Sequence, residues 1–127
     1  MSETTLMSKE PLLNSDQQAQ LIQLWHIISA DVYMTSKANG FWEDGVNRNR
    51  GEMIALMHSE LSECLEGVRK NTMDDHIPEF SSQEAELADT IIRIMDYGSG
   101  FKLRIMEAVM AKMIYNKSRP YKHGKAF

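Results

Sequence analysis

Cysteine is nearly missing from this chain. Cys64 stands alone, which excludes an internal disulfide and any zinc site built from several thiolates. It falls in an apolar helical pattern, so a buried, inert thiol is expected. Long apolar runs are missing as well: nothing approaches the ~20 residues that a membrane-spanning helix needs, and no membrane partner is expected. Met1 to Ser15 lacks a basic start followed by an apolar run, so no signal peptide is expected and the anticipated location is cytoplasmic. Excess positive charge is absent too. The formal net charge is -4, which argues against a protein that grips the backbone of a nucleic-acid polymer. A small polyanionic substrate remains compatible, because bound metal ions can supply the positive charge. No segment alternates as a strand would, and no repeat or low-complexity stretch occurs.

Helical patterning is what the sequence does contain. Residues 1–14 are polar, include Pro11 and lack periodicity, and read as a loose arm ahead of one helical domain over 15–127. Ser15 or Asp16 can cap a first helix running to about Ala38, with Leu21, Leu24, Trp25 and Ile28 at helical spacing. Asn39-Gly40 ends it, and Phe41 to Gly45 reads as a loop with two large aromatics. A second helix starts near Asn47 to Arg50 and continues to about Lys70, with Ile54, Met57, Leu61, Cys64, Leu65 and Val68 as its apolar stripe. After a polar connection over Asn71 to Ser81, Ser81 and Glu84 have the spacing of a capping box for a third helix. Gly98-Ser99-Gly100 is expected to stop that helix, and a fourth covers about Phe101 to Asn116, followed by a non-helical tail from Pro120. The fold class is therefore all-α, a bundle of about four helices. Leu87, Ile91, Ile94 and Met95 spread over roughly half the circumference of the third helix at ~100° per residue. A lone bundle needs less apolar surface than that, so self-association is expected.

Four carboxylates stand out against this scaffold. Glu60 and Glu63 leave nearly the same side of the second helix, about 60° apart, with Glu60 near the edge of the apolar stripe. Glu86 and Asp89 repeat the spacing on the third helix, and Asp96 lies almost directly above Asp89. Antiparallel neighbours would bring the pairs face to face, where they repel unless cations lie between them. Hard oxygen ligands suit Mg²⁺ or Mn²⁺ over zinc. A di-iron site would call for Glu-x-x-His pairs, and no His fills either place. Spacing alone leaves two readings open, a metal site or two solvated acidic faces. A basic segment balances the acidic middle: Lys112 to Lys125 holds five Lys or Arg residues and no acid. Such an asymmetry fits a metal–phosphate site assembled from both parts.

Leu56 to Glu66, with Glu60-x-x-Glu63, followed by Glu86-Leu-Ala-Asp89, closely resembles the MazG-like all-α nucleoside triphosphate pyrophosphohydrolases. Their motif is Glu-x-x-Glu, a spacer of variable length, then Glu-x-x-Asp. Lys112-Met-Ile-Tyr-Asn116 and Arg119-Pro-Tyr-Lys-His-Gly-Lys125 resemble the family's C-terminal phosphate-binding stretch. The likeness covers about residues 40 to 127. It implies a homodimer or a dimer of dimers that hydrolyses a nucleoside triphosphate to the monophosphate and pyrophosphate. Glu60, Glu63, Glu86 and Asp89 would then carry Mg²⁺. One carboxylate, Glu63 being the candidate, would orient or deprotonate the attacking water. Lys112, Asn116 and Arg119 would position the phosphates, with Tyr115 and Lys122 as further candidates, and Trp42 would stack on the base. The structural alternatives are that Lys112 and Arg119 snorkel from an apolar helix and tail, and that Trp42 is a core or interface residue. His58, beside the acidic pair, is expected to make a structural hydrogen bond, and Arg93 and Asp96 to pair with each other or to support the acids. Rival functions are a relative acting on dUTP or phosphoribosyl-ATP, and a non-catalytic module that binds nucleotides or a protein.

Overall fold

The structure is a computed structural model that describes residues 10–120, 122, 125 and 126. Residues 1–9 of the expected N-terminal arm, and Tyr121, His123 and Gly124 of the basic stretch, lie outside the described residues. Among these residues four α-helices follow in order: α1 (Ser15–Ala38), α2 (Arg50–Lys70), α3 (Ser82–Gly100) and α4 (Ile105–Ser118), with a 3-10 turn at Gly45–Asn47. No strand occurs among the described residues, only an isolated antiparallel bridge between Met73 and Ser81. The architecture is all-α, and among the described residues no helix is long and apolar enough to cross a membrane.

Local chemistry sets most of the boundaries. Asn14, not Ser15 or Asp16, caps α1: its Oδ1 accepts from the Gln17 backbone N–H at 2.9 Å, and Gln17 Oε1 accepts from the Asn14 N–H at 2.9 Å. This is the reciprocal box in amide form. Gly40, at φ +91°, turns the chain after α1. Asn49 caps α2 by accepting from the Glu52 N–H, and Asn71 ends it in the left-handed region at φ 52°. Ser81 and Glu84 form the expected capping box on α3.

The end of α3 departs from expectation. The helix continues through Gly98-Ser99-Gly100, and termination passes to Lys102, whose φ is +57°. There the Leu103 N–H returns to the Gly98 carbonyl at 2.8 Å. Gly100 stays helical because Trp42 lies against it, where a methyl group would overlap the indole ring. Helix α4 consequently begins at Ile105, not Phe101, and extends to Ser118.

The chain falls into two compact units. One comprises the residues up to His26 together with those from Arg104 onward, and the other is Ile27–Leu103. Within the first, His26 Nε2 meets Glu107 Oε1 at 3.0 Å. Within the second, α2 and α3 form an antiparallel hairpin, as shown by Gly67 facing Ser82 and Glu60 facing Arg93. Its connection is closed by the Ser82 N–H donating to the Thr72 carbonyl and the Asp74 N–H to that of Phe80.

Candidate metal centre

The acidic site grows from this hairpin. A Cβ on Gly67 would come within 2.7 Å of Ser82 Cβ, so the absent side chain lets the helices approach closely at that end. One to two turns further along, Glu60 and Glu63 of α2 meet Glu86 of α3, with one carboxylate oxygen from each within 4.8 Å of the others. Glu60 is buried, Glu86 half-buried and Glu63 exposed. Asp89 is not part of this close group; it lies on the wall of an adjoining cavity that Glu60 also lines.

Three carboxyls at this separation cannot all stay ionised without a cation. Glu86 carries the cost. Its pKa is pushed up to about 8, first by a hydrogen bond with Glu60, then by burial and by Glu63. Glu86 Oε2 is sealed from solvent with no hydrogen-bond partner; a bond between two carboxyls needs a proton on one of them, and the raised pKa places it on Glu86. Burial works against ionisation of Glu60, yet hydrogen bonds from Glu86 and Arg93, with the Arg93 charge, hold its carboxyl below the usual value. Burial raises Asp89, aided by the charges of Glu60 and Asp74.

Arg93 and Asp96 do not pair with each other. Arg93 crosses to α2, where Nε donates to Glu60 Oε1 at 3.0 Å and Nη2 forms an ion pair with the same oxygen at 2.9 Å. Asp96 is buried and accepts from Trp42 Nε1 at 2.9 Å, from Ser36 Oγ at 2.9 Å and from Arg48 Nη1 at 3.3 Å. Trp42 is therefore held inside the unit, 5% exposed, edge-on to Tyr33 and Phe101, with the Arg48 guanidinium 4.7 Å from its ring. A cavity of about 670 Å³ adjoins the carboxylates, with Glu60, Asp89 and Arg93 among its lining and Arg48, Phe41 and Asp96 contributing other parts of the wall. Phe41, 61% exposed, is the aromatic on that wall. His58 is exposed and outside the close acidic group.

The basic residues belong to the unit that contains α4. Lys112 Nζ lies 5.2 Å and Arg119 Cζ 5.5 Å from the centre of the Tyr115 ring, forming a cationic patch around one aromatic. Asn116 occupies the last turn of α4, where its carbonyl accepts from the Arg119 N–H. Lys122 follows, with Nζ 3.5 Å from the Ala126 carbonyl.

Sequence reasoning missed Gly67, the Arg93–Glu60 bridge and the Arg48–Asp96–Trp42 group. Only Gly67 left a trace, as a small residue four positions after Glu63 on the same helix. Comparison with protein-family models, with curated proteins and with solved structures finds no match to this chain.

Proposed function

We propose that this chain is a Mg²⁺-dependent nucleoside triphosphate pyrophosphohydrolase of the MazG-like kind. The observation that carries the reading is the convergence of Glu60, Glu63 and Glu86 from two antiparallel helices, with a sealed Glu86 oxygen that lacks any donor. The residues fit the ion: the donors are all carboxylate oxygens, the set that Mg²⁺ and Mn²⁺ favour, with no thiolate or imidazole among them. When bound, Mg²⁺ would supply Lewis-acid polarisation of phosphoryl oxygens and a lowered pKa for water.

The remaining chemistry belongs to the chain. Glu60, Glu63 and Glu86 would hold the metal, and Asp89 on the cavity wall would complete the four. Glu63, the exposed member, is the carboxylate a water reaches, and it would orient that water and take its proton. Attack at the α-phosphorus breaks the bond to the bridging oxygen, so the monophosphate and pyrophosphate separate. Phosphoryl transfer depends on positioning and charge neutralisation. The resemblance assigns those tasks to Lys112, Asn116 and Arg119, with Tyr115 and Lys122, and their grouping around one ring is consistent with an anion-binding patch. The cavity is within the size range of small-molecule sites, and Phe41 offers the base an exposed ring, a task that buried Trp42 does not suit in this arrangement.

The protein acts in this reading as a homodimer or a dimer of dimers. Ile54, Leu61, Leu65 and Val68 on α2, each between 44 and 56% exposed, form the face a second copy would cover.

A panel of ribo- and deoxynucleoside triphosphates, dUTP and phosphoribosyl-ATP, incubated with Mg²⁺, Mn²⁺ or EDTA, tests the reading. Pyrophosphate should appear with either metal, disappear in EDTA and fall by about 10² or more in Glu63→Ala, the scale of a general-base contribution. Orthophosphate as the product would point to a different reaction. Retained nucleotide binding without turnover would favour a binding module.

A further inference from the structure

We propose that Arg93 is a resident counter-charge for the acidic cluster, a positioning residue that holds Glu60 in the metal-free chain and is the group a bound divalent cation must work against. This rests on reading the cluster as a metal centre.

The geometry carries the argument. Glu60 is 8% exposed, and a carboxylate that buried is strongly destabilising unless something compensates its charge. Arg93 has a nearer choice by sequence, Asp89 one turn back on its own helix. It crosses to α2 instead, where Nε donates to Glu60 Oε1 and Nη2 makes an ion-pair contact with the same oxygen. Both contacts fall on Oε1, which leaves Oε2 outside the bridge. Arg93 and Glu60 also share the cavity wall with Asp89. Positions 86, 89 and 93 recur at helical spacing along one strip of α3, which sets this cation beside the acids by construction.

A divalent cation on Glu60 would take over the neutralising role, and it would do so next to a positive charge fixed a few ångströms away. Two cations at that distance repel substantially even where solvent screens them. Arg93 therefore lowers the affinity for metal and keeps the empty site folded, so that the metal stays exchangeable.

Mn²⁺ titration followed by electron paramagnetic resonance, with no nucleotide present, reads this directly. Arg93→Gln should bind Mn²⁺ more tightly than wild type, by on the order of tenfold from the lost repulsion, whereas Arg93→Lys should stay near wild type. Equal or weaker binding by Arg93→Gln would overturn the inference, since a structural prop alone predicts weakening. A parallel series in EDTA follows the thermal midpoint. Arg93→Gln should lower it, and adding Glu60→Gln should recover a large part of the loss by removing the uncompensated charge. A double variant no more stable than Arg93→Gln would show that Arg93 is not the counter-charge. Failure of both wild type and Arg93→Gln to bind Mn²⁺ at millimolar concentration would overturn the metal reading itself. Binding by wild type that does not change in the variant would leave that reading standing and sink only the role of Arg93.

Discussion

Glu86 and Glu60 compete over one proton, and the outcome makes the metal-free protein sensitive to pH. In the unfolded chain Glu86 ionises near the usual 4.5, but in the folded chain only at about 8. A raised carboxyl contributes stability that is fully present below the unfolded value and is lost as pH climbs towards the folded one. Glu60 has the opposite sign: its lowered carboxyl contributes stability present above the ordinary value and lost below it. In EDTA, thermal midpoints should therefore fall as pH rises between about 4.5 and about 8. Glu86→Gln, which keeps a neutral donor towards Glu60, should flatten that slope, and Mg²⁺ should restore stability at the alkaline end. A Glu86→Gln slope as steep as wild type would place the titrating group elsewhere. The acids themselves were legible in the sequence because i, i+3 spacing is local arithmetic. The proton they share was not, since it depends on how closely α3 is drawn to α2 at Gly67 and on a guanidinium arriving from seven residues beyond Glu86.

Helix ends show where local rules hold and where packing overrides them. The Ser81–Glu84 box involves four consecutive residues, so its sequence signature and its structure coincide. Gly98-Ser99-Gly100 carries an equally clear stop signal, because each glycine costs a helix about 1 kcal/mol relative to alanine. The helix nevertheless runs on through it, since the missing Cβ at Gly100 makes room for the Trp42 indole, whose N–H in turn anchors buried Asp96. The two effects make opposite forecasts for Gly100→Ala. Propensity alone would stabilise by about 1 kcal/mol. Overlap with a buried ring fixed on three sides costs typically 1–3 kcal/mol, about the overpacking range. The overlap should win: the urea midpoint should drop, with near-ultraviolet circular dichroism of the tryptophan altered. A higher midpoint would show that Trp42 moves aside at little cost. No sequence rule distinguishes a glycine that ends a helix from one that receives a ring, because the ring comes from 58 residues earlier in the chain.

At the scale of the molecule, α2 is oriented against the ordinary amphipathic logic. Met53, Glu60 and Gly67 are its buried residues, whereas Ile54, Leu61, Leu65 and Val68 stand largely in the open. These two groups lie roughly 110° apart around the helix at ~100° per residue. The apolar periodicity was fully legible in the sequence, but which face would meet α3 was not. The acids and the glycine, not the large aliphatic side chains, take the intramolecular contact. Leu87 and Ile91 on α3 are likewise more than 40% exposed. Under the proposed oligomer, this apolar stripe is the surface that association would cover. A second copy satisfies it most simply, because a two-fold axis lets one stripe cover its own counterpart. Wild type should sediment as a dimer or larger at micromolar concentration. Leu65→Glu, at the most exposed of the four α2 positions, would set like charges against each other across such an axis and should shift the sedimentation to monomer with helical content retained. Leu65 faces away from the buried side of α2, so loss of the dimer without loss of Mn²⁺ binding would separate the association face from the metal centre. A Leu65→Glu chain that still sediments as wild type would exclude this stripe as the contact between copies.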